Sequence, residues 1–203
     1  MVTLLTVCTG NICRSPYAHL LLGNRLDEIA PGAFSVASAG TMGLTGKPMD
    51  ERSAARLAAT GVRERAYTVD SFSARRLGDA DVAGADVVLA LTQEHRDAVI
   101  QMSPRMLKRA YTVREFARLV AHVYREAGDS IPGGAGPEQV AARWKALIKY
   151  ATLYRSGLSA PAADDDVVDP YRREDAVYDE MVDQLLPALE AIIDLERAAA
   201  ARA

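Results

Sequence analysis

Apolar and polar positions switch between two periods along the chain. Val2–Val7 is a short apolar run rich in β-formers and predicts a buried central strand. Ser15-Pro16 then opens a helix, with serine near the N-cap and proline in the first turn. Apolar residues at helical spacing carry it from Tyr17 to Ile29, where Pro31-Gly32 stops it. Phe34–Ala39 predicts a second strand. Gly40 to Pro48 reads as a glycine-rich loop, and Asp50 caps a helix that Gly61 ends near Thr60. Asp86–Leu91 is the clearest buried strand, and Thr92 caps a helix from Gln93 to about Met102. A weaker strand, Arg109–Val113, leads into a helix from about Val113 to Glu126.

The order β-α-β-α-β-α-β-α predicts an α/β fold: a four-stranded parallel sheet with helices on both faces. Gly128 to Pro137 reads as a flexible break, followed by a basic amphipathic helix, Glu138–Tyr154, and a loop, Ser159–Asp166. Asp175 to about Arg197 predicts a long closing helix with a kink at Pro187 and a fraying alanine-rich tail. No internal repeat is present, and residues 1–203 are expected to form one domain.

Bulk properties narrow the picture without naming a chemistry. Hydrophobic residues make up 49% and charged residues 25%, as in ordinary soluble proteins. A net charge of −3 carries no polyanion-binding signature, so nucleic acid is not an expected partner. The apolar stretch before Cys8 is too short for a signal peptide or a membrane span, so no membrane insertion and a cytoplasmic location are expected. Two cysteines make no disulfide framework. Both lie in the turn between the first strand and the first helix.

That turn, Cys8-Thr9-Gly10-Asn11-Ile12-Cys13-Arg14-Ser15, holds the candidate chemistry. A loop closing onto a helix N-terminus points several backbone N–H groups inward, and the helix dipole makes its centre suit a dianion. Arg14 can hold two phosphate oxygens with its planar fork. The same field favours the thiolate form of Cys8, placed to attack phosphorus. Gly10 removes bulk, Asn11 tolerates a left-handed backbone, and Ser15 can donate a hydrogen bond to the sulfur. The competing reading, two small buried cysteines in a βα turn, does not account for arginine, serine and proline in this register. Nor does the stretch fit a nucleotide P-loop.

VCTGNICRSP resembles the signature of the low-molecular-weight protein tyrosine phosphatases. The likeness continues in Ser38-Ala39-Gly40-Thr41, in Asp86–Leu91 and in Asp169-Pro170-Tyr171. The resemblance implies the four-stranded parallel fold and hydrolysis of phosphotyrosine-type monoesters through a phosphocysteine, with no cofactor and no metal. It makes Cys8 the nucleophile, Arg14 the phosphate clamp and Asp169 the general acid. Asn11, Ser15 and Ser38 would support the loop. Thr9, Gly10, Asn11, Ile12, Cys13, Ser15 and Tyr171 would line the substrate site. The implied partner is a phosphotyrosine-containing protein or a small aryl phosphate.

Asp169 also has a physical case, because an aryl phosphate needs a proton on its departing oxygen. Asp-Pro fixes the backbone after the acid, and Tyr171 could wall the leaving group. Taken alone, Asp164-Asp165-Asp166 with Asp169 would equally make a solvated acidic turn. His19, His95 and His122 form no metal-ligand pair and read as packing. Trp144 with Arg143, Lys145 and Lys149 reads as a helix packed on the sheet, with a docking face as the alternative.

Three departures from the family pattern stand out. Met42-Gly43-Leu44 offers aliphatics where an aromatic usually lines the slot. Phe72 replaces a supporting histidine. The stretch from Ala127 to Asp166 is longer than usual and predicts a helical insertion serving as a lid or partner surface. Arsenate reductases of this scaffold need further cysteines, and none follows Cys13. Arginine phosphatases stay open as an alternative, although Ile12 in place of their threonine favours an aryl phosphate. A non-catalytic phosphate-binding module is the third alternative. The second thiol in so tight a loop is expected to be a redox partner that captures oxidised Cys8.

Overall fold

In a computed structural model, which describes residues 1–158 and 161–202, four parallel strands form one sheet in the order β2-β1-β3-β4. These are β1 (Val2–Cys8), β2 (Phe34–Gly40), β3 (Val87–Ala90) and β4 (Ala110–Thr112). The registers pair Leu4 with Val36 and Val87, and Val88 with Ala110. All four residues of β3 are buried, as a strand covered on both faces must be.

Alternation along the strands divides the core. Leu4, Val87 and Leu89 face a large cluster built with helices α1 (Arg14–Ile29), α5 (Val113–Ala127), α6 (Pro137–Tyr154) and α8 (Asp175–Ala200). Leu5, Val7 and Val88 face a smaller cluster under α3 (Asp79–Gly84) and α4 (Gln93–Met102). A short helix, α2 (Glu51–Ala59), is capped by Asp50, whose carboxylate accepts from the Arg52 and Ser53 N–H groups. The chain leaves β1 toward β2 on one side, and β3 lies on the other. The crevice beyond their C-terminal ends is therefore the switch point where parallel sheets place ligands.

Four sequence expectations are corrected. Ser15 does not cap α1: Cys13 occupies that position without a side-chain cap, and the serine hydroxyl is used elsewhere. Helix α3 was not foreseen, being one short polar turn with only Val82 buried. The expected loop over residues 159–166 contains a one-turn helix, α7 (Ala162–Asp165), while Ser159 and Ala160 lie outside the described residues. Helix α8 runs through Pro187 to Ala200 instead of fraying near Arg197, because Ala199 is buried.

The break after α5 is tied to this C-terminal end. Gly134 N–H donates to Ala199 O at 3.1 Å, and Arg202 donates to the carbonyls of Gly128 and Ile131. Arg143 is wholly buried in a pair with Glu196, and also donates to Pro132 O and Gly134 O at 2.9 and 3.0 Å. The Trp144 indole N–H shares the same carboxylate at 3.0 Å. Arg143 and Trp144 are thus internal staples between α6 and α8, as the packing reading expected. His122 stacks edge-on against Tyr154 between α5 and α6. No helix among the described residues is long and apolar enough to cross a membrane.

Candidate active site

β1 ends on Cys8, and residues 9–13 curl into a loop before α1 starts at Arg14. The curl needs a left-handed residue, supplied by Asn11 at φ 57°. Its side chain then fixes the turn. Nδ2 donates to Ser15 Oγ and to Ser38 Oγ, both at 2.9 Å, and Oδ1 accepts from Arg75 N–H at 2.9 Å.

The loop carbonyls face the segment after β2. Cys8 O, Thr9 O, Gly10 O and Ile12 O accept from the N–H groups of Thr41, Met42, Leu44 and Asp50, at 2.8–3.0 Å. In a trans peptide the N–H points opposite to the C=O, so the loop's N–H groups turn toward its concave side. Two glycines permit this approach. A Cβ on Gly40 would sit 2.3 Å from Thr9 O, and one on Gly43 would sit 2.2 Å from Arg75 O.

Cys8 lies at the floor, 2% exposed. Asn11 N–H donates to its sulfur at 3.3 Å, and Ser15 Oγ is 3.0 Å away. Asn11 Nδ2 occupies a lone pair of the Ser15 oxygen, which leaves the hydroxyl proton for the sulfur. Both donors stabilise negative charge there.

Arg14 is 4% exposed in its side chain, and its donors divide between holding and clamping. Nη1 donates to Val167 O at 3.1 Å, while Nη2 contacts Asp169 Oδ2 at 2.6 Å. Nε is buried with no hydrogen-bond partner among the described residues. An unsatisfied buried guanidinium N–H is costly, and an anion oxygen would satisfy it. Nε and Nη2 form one edge of the fork, the spacing that grips two phosphate oxygens.

Asp169 reaches this edge from the other side of the crevice. Its loop is anchored by Val167 N–H on Leu91 O at 2.9 Å and by Val168 N–H on Gln184 Oε1 at 2.8 Å. Gln93 N–H donates to Asp166 Oδ1 at 2.7 Å, which puts a carboxylate on the N-terminus of α4. Asp165 is buried against Arg118 at 2.7 Å. The aspartates are therefore not one solvated turn: two are anchors and Asp169 alone faces Arg14. Tyr171 N–H donates to Asp169 Oδ1 at 3.1 Å.

Cys8, Arg14, Asp169 and Tyr171 line one cavity of about 220 Å³ with Thr9, Gly10, Ile12, Cys13, Met42 and Leu44. The model of the family described as low molecular weight phosphotyrosine protein phosphatase matches residues 3–135. This chain belongs to that family.

Curated relatives agree. The low molecular weight protein-tyrosine-phosphatase Etp of Escherichia coli K12 is 36% identical over 104 residues, 51% of this chain and 64% of that protein. A protein-arginine-phosphatase of Geobacillus stearothermophilus is 32% identical over 113 residues, 56% of this chain and 70% of that protein. The chain therefore spans just under two thirds of Etp's length. Among solved structures, the tyrosine phosphatase AmsI of Erwinia amylovora superposes with a TM-score of 0.63 at 19% identity, covering 96% of this chain and 93% of that one. At this identity the likeness speaks to the phosphatase fold.

The sequence-predicted residues converge on this cavity or its support. Ser38 is buried behind Asn11. The Phe72 position is apolar as expected, packing with Ile12, Cys13, Ala74 and Tyr178. The support beside it stays polar, because His19 Nδ1 lies 3.2 Å from Ser38 Oγ. Burial, then Arg75, lowers His19 to about 4 and keeps its ring neutral.

Two histidines read as packing are packed as expected and also hydrogen-bond to the residues around the loop, and His95 is the more telling. Its Nε2 lies 2.9 Å from Thr9 Oγ1 and its Nδ1 2.8 Å from Thr92 Oγ1, at 4% exposure. Burial, then the Arg14 charge, lowers it to about 4, with Asp169 opposing. The ring is neutral, so one nitrogen donates and the other accepts. Arg14 Nη2, which only donates, lies 3.5 Å from Thr9 Oγ1. A consistent direction follows: Arg14 to Thr9, Thr9 to His95 Nε2, and His95 Nδ1–H to Thr92. The available signal was Thr92 with His95 three residues on, capping α4 beside the end of β3. Among the described residues, no cluster of His, Cys, Asp and Glu could hold a metal ion.

Proposed function

We propose that this phosphatase hydrolyses phosphotyrosine-type monoesters in two steps through a phosphocysteine at Cys8. The carrying observation is the Arg14 edge, one N–H without a hydrogen-bond partner among the described residues and the other on Asp169, in the same cavity as the Cys8 sulfur. The phosphate sits in the cradle of loop N–H groups with two oxygens on Arg14. Cys8 thiolate attacks phosphorus, and protonated Asp169 gives its proton to the departing aryl oxygen. In the second step Asp169 carboxylate takes a proton from water, which attacks phosphorus and expels the sulfur. Ser15 and Asn11 N–H stabilise the departing thiolate. Ile12, Met42, Leu44 and Tyr171 wall the ring, so aliphatics and one tyrosine stand in for an aromatic slot. The expected partner is a phosphotyrosine-containing protein or small aryl phosphate, handled in the cytoplasm by residues 1–203 acting as one domain.

The alternative substrate is phosphoarginine, the chemistry in the name of the Geobacillus stearothermophilus relative. Ile12 narrows the cavity without a polar contact for a guanidinium, which favours the aryl ester. Steady-state assays on matched phosphotyrosine and phosphoarginine peptides, without added metal, decide between them. A preference for the arginine peptide overturns the reading, and no turnover of either favours the binding module. Cys8→Ser should abolish turnover while phosphate still binds.

Cys13 is read as a resolving thiol. It lines the same cavity as Cys8, and burial, then Asp50, pushes it up to about 12, so it stays protonated and does not rival Cys8 as nucleophile. After peroxide converts Cys8 to its sulfenic acid, the Cys13 thiol condenses with it, forming the disulfide and releasing water. Recovery of activity by dithiothreitol after a peroxide dose should be substantial in the wild type and absent in Cys13→Ser. Equal recovery makes Cys13 packing alone.

A further inference from the structure

The opposite edge of the sheet holds a second cavity, of about 630 Å³, within the range of pockets that enclose small ligands. Met1, Val2, Asp86 and Arg109 bring the N-terminal ends of β1, β3 and β4 to it. Its facing wall is α6, which presents Ala141, Lys145, Ile148, Lys149 and Thr152. Positions 141, 145, 148 or 149, and 152 recur every three or four residues, so they share one helix face about 17 Å long. Helix α6 begins beyond residue 135, where the family match ends, so this wall is not part of the matched phosphatase core.

The charge around the cavity is one-sided. Lys108 and Arg109 stand on one wall, with Lys145 and Lys149 on the other, all exposed. None of the four is in an ion pair among the described residues. Among the described lining residues the one carboxylate, Asp86, already accepts from Thr3 N–H at 2.9 Å. Between the walls the floor is apolar, with Val2 buried and Ile148 partly so, and Leu153 at the mouth is 64% exposed. In a chain of net charge −3, a concave site with four cations that form no ion pair among the described residues, Lys149 resting on the Tyr150 ring, is a local feature over an apolar floor, not a consequence of bulk charge.

We propose that this cavity binds a free dianionic amphiphile. Its acidic head lies between the Lys108–Arg109 and Lys145–Lys149 walls, and its apolar body rests on Val2, Ile148 and Leu153. Inorganic anions would gain the charge but leave the floor wet. Neutral amphiphiles would cover the floor but leave the cations unpaired. An occupant with both features uses both, and two facing pairs of cations match two negative charges better than one.

The test is isothermal titration of the full chain, below micelle-forming concentrations, with three probes: decylsuccinate, decyl maltoside and succinate. Decylsuccinate should bind at least tenfold tighter than either of the others. Its affinity should fall with added sodium chloride and drop at least tenfold in Lys145→Glu/Lys149→Glu. Both lysines are exposed, and circular dichroism and aryl phosphate turnover should match the wild type. Ile148→Asn should weaken decylsuccinate while leaving succinate unchanged. Equal binding of decylsuccinate and decyl maltoside, or undiminished binding by the charge-reversed variant, overturns the proposal. So does binding to phosphatidylglycerol vesicles without binding to free decylsuccinate, which would make this face a membrane-docking surface.

Discussion

The two edges of one sheet meet anions by opposite means. At the C-terminal edge charge recognition is built from backbone: loop N–H groups turned inward, a buried Asn11 fixing the turn, and one arginine held on Val167. At the N-terminal edge it is built from exposed lysines on flexible stems around an apolar floor. Roughly 20 Å of strand separates them. The first arrangement fixes geometry before a ligand arrives, as bond-breaking demands. The second supplies charge without fixed geometry, which suffices for holding a molecule. The contrast teaches that net positive potential alone does not mark a catalytic site; the prior placement of donors does.

The sharpest way to break this contrast is to keep charge and change shape. Arg14→Lys retains the cation but removes the two-point edge, so kcat/KM on an aryl phosphate should fall by about 10²–10⁴-fold. Lys149→Arg at the other edge should alter neither turnover nor decylsuccinate affinity by more than about twofold. Comparable losses from the two substitutions would erase the distinction.

Asp169→Asn should slow cleavage of a phenyl phosphate by about 10²–10³-fold. The loss should shrink for a nitrophenyl ester, whose oxygen needs less protonation. Equal losses on both esters would mean that the substitution acts by freeing Arg14 and not by removing an acid.

A smaller effect tests the hydrogen-bond chain. His95→Ala and Thr9→Val should each lower kcat by about tenfold, the scale of a mispositioned clamp. The double variant should lose little more than either alone, because both act on Arg14 through the same hydroxyl. His95→Gln, able to accept from Thr9, should recover part of the loss. Additive losses would separate His95 from Arg14.

The smallest effect is on stability. His19 and His95 are each lowered to about 4 from the usual 6.5, so between these values the unfolded chain binds more protons than the folded one. Stability should therefore fall as pH drops from about 6.5 toward 4 and be insensitive to these groups above that window. Thermal melts of the wild type and His95→Gln should converge at acid pH. A parallel fall in both would exclude His95 as a contributor.

Most of the C-terminal edge was legible because local sequence writes it. Strand, loop and helix N-terminus are contiguous from Val2 to Ile29, and Asp-Pro-Tyr marks the loop that faces Arg14. What escaped depends on register between distant segments. His95 reaches Thr9 only because β3 pairs with β1 so that Leu91 N–H meets Val7 O. His19 supports Ser38 only because α1 packs back on β2. Ser15 was misread as a cap because serine at a helix start usually serves that way, whereas here the sulfur takes its hydroxyl. The stretch before the acid loop was expected to be a lid or partner surface. Its helix, α6, packs on the sheet through Trp144 against Phe34 and Phe116, and its outer face lines the distal cavity.

Arg143, enclosed by Glu196, Pro132 and Gly134, changes what the last helix is for. A cut that removes Glu196 would strand a guanidinium in the interior, at about 3–5 kcal/mol, a large share of the margin that keeps a domain folded. Clipping by a protease inside the last turns of α8 would then be a death sentence and not a trim. The tail is thus a structural closure: Glu196, seven residues from the end of the chain, holds a charge that the interior cannot leave unpaired.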